Sequence, residues 1–316
     1  FRKQRWVKDG IFSEFFGSEN EVIDLINTGE NRLRIPSWDN NLKTPPCEFD
    51  CPVSIPTQKR IALLREGKIQ EALNLIYQYS PFPGSVCGQV CPNLCMQTCS
   101  RRAVDEEIKV AELGIKSFEN IDLGEFKPTK GKTVAIIGGG VSGLSCAWNL
   151  MHLGYGVEIF EKDVEIGGKL RQVIPAERLN QDILNIELEI LKNSITTAGG
   201  KIHTSYNVDR DEFNRMRDDY DAVVVAVGAQ NPFVLPVEGK ERIIKGLDFL
   251  KEINKGNKFS IGDNVVVIGA GNAAMDVVLG AYKVGAKNVT AIDIQKPAAF
   301  EKEIEAAKAL GAKIMY

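Results

Sequence analysis

The chain has 316 residues, enough for two or three domains that each bury a core. Its 39 basic and 42 acidic residues nearly cancel, so neither a nucleic acid nor an anionic membrane surface is implied as a partner. No apolar run approaches the roughly 20 residues that span a bilayer and no signal-peptide pattern opens the chain, which gives a cytoplasmic expectation.

The sequence starts at Phe1 and stops at Tyr316 inside what reads as a nucleotide-binding unit, so a longer polypeptide is expected. Of seven cysteines, six fall between Cys47 and Cys99, and Cys146 stands alone. An odd count in a tight cluster points to metal or cofactor ligation rather than to disulfides.

Residues 1–127 lack glycine-rich strand–helix units and hold every clustered cysteine. The aromatic, charged opening from Phe1 to Phe16, within residues 1–40, reads as a docking segment or the tail of a preceding domain. Ile61, Leu63, Leu64, Ala72, Leu73, Leu75 and Ile76 stand at spacings that suit short amphipathic helices. Pro45-Pro46, Pro81-Phe82-Pro83-Gly84 and Pro92 break those helices and carry the cysteines on loops. A small all-α module holding a cofactor in its turns is the expectation.

The basic linker from Lys127 to Lys132 opens a second region, residues 128–248. Thr133 to Ile137 reads as a buried parallel strand by length and β-branched content. It ends in Gly138-Gly139-Gly140-Val141-Ser142-Gly143, followed by a helix from Leu144 to Leu153 and a strand from Val157 to Phe160 that closes at Glu161. Residues 182–193 read as a helix, and Ala222 to Val227 as another buried strand ending at Gly228.

The pattern restarts in residues 249–316. Asn264 to Ile268 is a strand, Gly269-Ala270-Gly271-Asn272-Ala273-Ala274 a turn, and Met275 to Lys283 a helix. Val289 to Ile292 leads to Asp293, Glu301 to Leu310 is helical, and Ile314 lies in a last strand. The predicted fold class is α/β: an all-α N-terminal module, then two Rossmann-like βαβ units, the last incomplete.

The glycine turns carry specific chemistry. The first glycine permits the tight turn, the second lets the backbone approach a pyrophosphate, and the third lets helix and strand pack closely. The helix N-terminus then directs free N–H groups at the phosphates, and an acid about 20 positions on accepts from the ribose hydroxyls. Gly138, Gly140 and Gly143 with Glu161 meet every condition. Gly269 and Gly271 with Ala274 and Asp293 meet them with alanine as an accepted third position. Asp293 would repel a 2′-phosphate, and Ile294 and Gln295 offer it no guanidinium, although Lys296 is close; NADH is therefore preferred over NADPH. Two such sites suggest a flavin beside a nicotinamide, whose hydride transfer requires no general base, so no catalytic side chain is nominated.

Cys47-x3-Cys51-Pro and Cys87-x3-Cys91-Pro-x2-Cys95-x3-Cys99 have the short spacings that let loop thiolates surround an iron–sulfur cubane. Zinc is the rival, since four thiolates also suit a tetrahedral site. Cys146 reads as a small core residue, and His152 and His203 as surface or satisfied side chains. A thioredoxin-reductase-like role would need a C-x-x-C pair in the last region, and none exists there.

Further motifs follow in order: Cys51-Pro52-Val53, Ser80-Pro81-Phe82-Pro83, Val90-Cys91-Pro92, Gly167-Gly168-Lys169-Leu170-Arg171, Ile174-Pro175 with Arg178-Leu179, Ala226-Val227-Gly228 and Gly271 to Asp276. From about Cys47 to Tyr316 the chain resembles a family that includes the glutamate synthase small subunit and the N-terminal half of dihydropyrimidine dehydrogenase. The large subunit of NADH-dependent ferredoxin:NADP oxidoreductase belongs to it as well. The resemblance implies FAD at the first unit, with Gly138 to Gly143, Glu161, Lys162, Gly168, Lys169, Leu170, Arg178 and Gly228 around it. It implies the nicotinamide cofactor at Gly269, Gly271, Asn272, Ala273, Ala274 and Asp293.

The resemblance also implies [4Fe–4S] clusters, and there the chain departs from the family. Asp39 and Leu42 replace an upstream C-x-x-C pair, and the family's non-cysteine ligand falls at about Gly114, with Glu112 as a displaced candidate. One cluster is expected rather than two. By family position Cys51, Cys91 and Cys95 share it, the fourth ligand being Cys87, Cys47 or Cys99. The expected path runs from NADH through FAD and the cluster to an electron-accepting partner subunit or domain. The alternative is a structural or assembly subunit with a zinc- or cluster-bound N-terminal module and an empty nicotinamide site.

Overall fold

A computed structural model describes residues 44–115, 121–231 and 236–316; the opening segment, with Asp39 and Leu42, lies outside the described residues. The chain divides at Pro45, and the architecture below is that of the unit Pro46–Tyr316.

The cysteine region is helical. α1 (Thr57–Arg65) is half-buried along Ile61, Leu63 and Leu64, and it carries one buried charge, Arg60. The Arg60 guanidinium donates to the Leu113 carbonyl at 2.9 Å, and burial pushes it down to about 10. α2 (Ile69–Tyr77) is more one-sided and buries Ala72, Leu73, Leu75, Ile76 and Tyr77. α3 (Pro83–Val90) is a π-helix bearing Cys87, and α4 (Val110–Ile115) packs on it through a pair of glycines. A Cβ on Gly114 would lie 2.5 Å from the Pro83 carbonyl oxygen and 3.1 Å from the Gly88 Cα. Gly114→Ala is therefore expected to cost about 1–3 kcal/mol, read as a lower urea midpoint with an unchanged slope.

Two parallel sheets follow. The first comprises β1 (Thr133–Ile137), β2 (Gly156–Phe160), β3 (Lys201–His203) and β4 (Ala222–Val225), ordered β3-β2-β1-β4. Its covering helices are α5 (Val141–His152), α6 (Gln181–Thr197) and α7 (Arg210–Asp219). The second sheet contains β5 (Asn264–Ile268), β6 (Asn288–Ile292) and β7 (Lys313–Met315) in chain order. It packs with α8 (Gly246–Asn254), α9 (Asn272–Lys283) and α10 (Glu301–Ala309). The internal duplication read from the sequence is therefore present as two βαβ units.

One expectation is corrected. The run from Ala222 to Val227 is not a buried strand: pairing ends at Val225, which is 58% exposed, and Val227 is 51% exposed. β4 pairs with β1 on one side only among the described residues, so its outward positions meet solvent despite their apolar character. The helix read over residues 182–193 runs longer, from Gln181 to Thr197, because the Asn180 side chain caps it from outside.

The cysteine helices do not own a separate core. Ile55, Ile76, Tyr77 and Phe82 share one apolar cluster with Ile136, Leu144 and Trp148 of the first sheet layer. Trp148 is fully buried, its indole N–H donates to the Tyr77 carbonyl, and its ring packs edge-on against Phe126. The two sheets are joined in turn by the segment after β2. Val173 enters the core of the second sheet, and the Asn254 amide donates to the Gln172 and Ile174 carbonyls.

Candidate functional site: two glycine turns and a cysteine loop

Both glycine turns have the same backbone. Gly138 and Gly269 end their strands at φ +110° and +113°, a region that side chains rarely adopt. Each N–H closes onto the neighbouring strand, Gly138 to the Phe160 carbonyl at 2.8 Å and Gly269 to that of Ile292 at 2.7 Å. Gly140 and Gly271 then cap α5 and α9 with no side chain closing the helix end. A Cβ at either position would meet nothing of the protein within 4 Å. Each helix of 12 residues thus presents a bare, positively polarised N-terminus to open space. Val141 and Ser142 lie exposed at the start of α5.

The acids also correspond. Glu161 accepts from the Gly139 N–H at 2.6 Å and from the Asp163 N–H at 2.8 Å. Asp293 accepts from the Ala270 N–H at 2.8 Å and from the Ile294 N–H at 2.7 Å. Each carboxylate therefore ties the middle of its glycine turn to the end of the second strand and retains lone pairs for ribose hydroxyls. Lys162 is exposed beside Glu161.

Around the first turn, Gly168 backs onto Gly140, where a Cβ would come within 2.9 Å of the Gly140 Cα. Lys169 donates to the Ala229 carbonyl at 2.8 Å, joining this turn to the segment after Gly228, which sits at φ +68°. Leu170 is buried. At the second turn, Asn272 accepts from the Phe300 N–H at 2.8 Å, while Ala273 and Ala274 line a cleft of about 740 Å³ beside β5. Arg178 is placed differently from its neighbours by motif. Its guanidinium pairs with Asp276 of α9 at 2.5 Å and with Glu303 of α10 at 3.0 Å. Burial raises the Asp276 carboxyl, and the facing guanidinium opposes that rise.

All six clustered cysteines are free and half-buried. Cys51 and Cys91 each neighbour both Cys87 and Cys95, and Cys47 neighbours Cys95 and Cys99. Burial pushes the Cys47, Cys87, Cys91 and Cys95 thiols up, Cys87 to about 12 and Cys95 to about 11, so a cation such as cluster iron would be needed to hold them as thiolates at neutral pH. Among the described residues no three of these side chains converge on a single point that would hold one metal ion. A cubane is larger than one ion and spreads its ligands further apart, so thiols grouped around Cys51 and Cys91 without converging on one point suit it better than they suit zinc. At the position of the family's non-cysteine ligand, Gly114 is pressed against Gly88, and the displaced candidate Glu112 is exposed.

The remaining singletons are accounted for. Cys146 packs against the first core. His152 sits edge-on to Phe126 and Trp148, and burial holds its imidazole below its usual value. His203 bonds Glu158 at 3.0 Å and stacks on Phe160.

One buried group escaped the sequence reading. Glu187 is fully buried on α6 and accepts from the Gly84 and Ser85 N–H groups and the Ser85 hydroxyl. Burial pushes its carboxyl up to about 7, against those three bonds. A signal for it did exist. Leu184, Leu188, Leu191 and Ile195 form the apolar stripe of α6, and Glu187 falls inside that stripe.

A family model for dihydropyrimidine dehydrogenase domain II with a 4Fe–4S cluster matches residues 40–120. A second, for pyridine nucleotide-disulphide oxidoreductases, matches residues 132–312, more than half of the chain. The chain belongs to the pyridine nucleotide-disulphide oxidoreductase family. As a member it combines an FAD- and NAD(P)-type dinucleotide fold with a 4Fe–4S domain. Its dinucleotide region holds the single cysteine Cys146, so this oxidoreductase has no redox disulfide pair there.

The chain is 33% identical over 261 residues to the NADPH-Fe(3+) oxidoreductase subunit beta of Geobacter sulfurreducens, covering 78% of this chain and 38% of that protein. It is 33% identical over 284 residues to the NAD-dependent dihydropyrimidine dehydrogenase subunit PreT homolog of Salmonella typhi, covering 85% and 67% respectively. It therefore spans well under half of the Geobacter relative's length. A solved 2-naphthoyl-CoA reductase shares the fold at a TM-score of 0.51 and 22% identity, over 72% of this chain and 34% of that one. Among the described residues no helix is long and apolar enough to cross a membrane.

Proposed function

We propose that this chain is the electron-input part of an oxidoreductase, taking electrons from NADH and delivering them through FAD and one [4Fe–4S] cluster to a partner subunit or domain. The observation that carries the reading is the repeated turn: two bare helix N-termini, each beside an acid anchored to its own glycine loop, in one chain with a cysteine loop. When bound, FAD would supply the exchange between a two-electron hydride and single electrons, and the cluster the one-electron exit.

The residues do the binding and orienting. Gly138 to Gly143 would hold the flavin pyrophosphate and Glu161 its ribose, with Gly168, Leu170 and Gly228 closing the site. Gly269 to Ala274 would hold the nicotinamide pyrophosphate. Cys51, Cys91 and Cys95 would ligate the cluster, and Cys87, which neighbours two of them where Cys47 neighbours only Cys95, is favoured as the fourth thiolate. That the two relatives are named as subunits supports a protein acceptor.

The relatives do not choose the nicotinamide, since one is named for NADPH and the other for NAD. Asp293 does. Its carboxylate is fixed at the end of β6 by three N–H groups, including that of Gln295, where a 2′-phosphate would meet it. Like charges a few ångströms apart in a wet site cost about 1–2 kcal/mol, so NADH is expected to exceed NADPH about tenfold in kcat/KM. Flavin absorption and a broad iron–sulfur shoulder that bleach together with NADH are the expected spectrum. A strong NADPH preference would overturn the Asp293 reading, two cubanes per chain by iron and sulfide analysis the single cluster, and a colourless protein the whole.

A further inference from the structure

We propose that Glu187 is a positioning residue for electron transfer, fixing the cysteine helix α3 against the wall of the flavin site and so setting the gap between flavin and cluster. The inference rests on the electron path given above.

The geometry is that of a clamp with two sides. On one side, the Glu187 carboxylate takes the Gly84 N–H at 2.5 Å and the Ser85 N–H at 3.1 Å, with the Ser85 hydroxyl as a third donor. These N–H groups open α3, where no intrahelical carbonyl is available to them. The same helix carries Cys87 and runs directly into Cys91. On the other side, the adjacent Leu188 reaches the flavin turn, its Cδ1 lying 3.2 Å from where a Cβ on Gly167 would be. Gly167 donates to the Gly139 carbonyl at 2.8 Å, and Gly168 packs on Gly140. Two successive residues of one turn of α6 thus touch the cysteine helix and the flavin loop.

The choice of residue argues for a role beyond packing. A carboxylate with no solvent exposure is costly to bury unless donors surround it. Leucine would fill the same place on the apolar stripe without that cost, but it would leave the opening N–H groups of α3 unmet and free to shift. Three directed bonds to two consecutive residues hold both the separation and the rotation of α3 relative to α6.

The test uses the full-length protein carrying flavin and cluster, with the variants Glu187→Ala, Glu187→Gln and Ser85→Ala. Mixing with NADH separates two phases, bleaching of the flavin and bleaching of the cluster, and hydrogen exchange reports the amides of residues 84–91 independently of either cofactor. The expected result is unchanged flavin bleaching in all variants, with cluster bleaching slowed about tenfold or more in Glu187→Ala, since ångström-scale misplacement suffices for such losses. Exchange over residues 84–91 rises in parallel. Glu187→Gln, which keeps an acceptor oxygen, restores most of both, and Ser85→Ala, which keeps two of the three donors, falls between.

A side chain that only stabilised the fold would lower cofactor content and melting temperature but leave the rate per loaded molecule unchanged. Equal cluster-bleaching rates in wild type and Glu187→Ala at equal iron content would overturn the role. Should Glu187→Ala fail to retain iron, wild-type rates and exchange in both other variants would overturn it equally. A wild-type cluster that stays oxidised after the flavin is reduced would instead sink the electron path itself.

Discussion

Gly143→Ala is expected to abolish flavin retention, with the purified protein losing most of its yellow absorbance relative to protein. A Cβ at this position would stand 1.9 Å from the Gly138 carbonyl oxygen and 3.2 Å from the Ile136 side chain. The first obstacle is backbone that already ends β1, so it has no rotamer to escape by. The turn must open, at a cost of about 3 kcal/mol or more. Since about 1.4 kcal/mol is tenfold in affinity, flavin binding should weaken at least a hundredfold if that cost falls on the bound geometry.

Gly140→Ala gives the discriminating comparison. Its Cβ would touch nothing of the protein, so the fold should melt as wild type does while the methyl group enters the space proposed for the pyrophosphate. Flavin content and thermal melts of the pair separate the two mechanisms: both variants should lose flavin, and only Gly143→Ala should lose stability as apoprotein. If Gly140→Ala retains flavin at the wild-type level, the turn is not the pyrophosphate cradle.

The second large effect is expected at Arg178. Removing it as Arg178→Ala leaves Asp276 and Glu303, 6% and 8% exposed, facing each other without a cation. Breaking a buried pair from one side typically costs about 3–5 kcal/mol, a large part of the stability of an ordinary domain. The loss should appear in chemical denaturation as a lower midpoint. It should be largely recovered in the triple variant Arg178→Met, Asp276→Asn, Glu303→Gln, which removes all three charges. Because Arg178 belongs to the segment after β2 and its partners to the helices of the second sheet, hydride transfer between the two nucleotide sites should slow as well. A single variant with unchanged stability would show that the ion pairs carry no net weight.

Local pattern alone made the two glycine turns legible. A β-branched run, glycines at fixed offsets, a helix and a strand-terminal acid are features of one contiguous stretch, and the backbone geometry they require is short-range. The cysteine spacings were legible in the same way, but the loops expected around them were not what formed: Cys87 lies in α3, Cys47 in the short helix Pro46–Phe49 and Cys95 in the short helix Leu94–Gln97.

Burial and partnership were decided only when distant segments met. The apolar run Ala222–Val227 could not reveal that it forms an edge, since an edge strand and a central one have the same composition and differ in what pairs beside them. Arg178 follows a flavin-site motif in sequence, yet its charge is neutralised by Asp276 and Glu303, both far along the chain, Asp276 being 98 residues further on. Glu187 stands 102 residues from Ser85, and its meaning as a clamp exists only because α6 and α3 are packed together. Turn chemistry depends on the dihedral preferences of adjacent residues and can be read along the chain. The cost of a buried charge depends on what surrounds it in space, and that only the folded structure supplies.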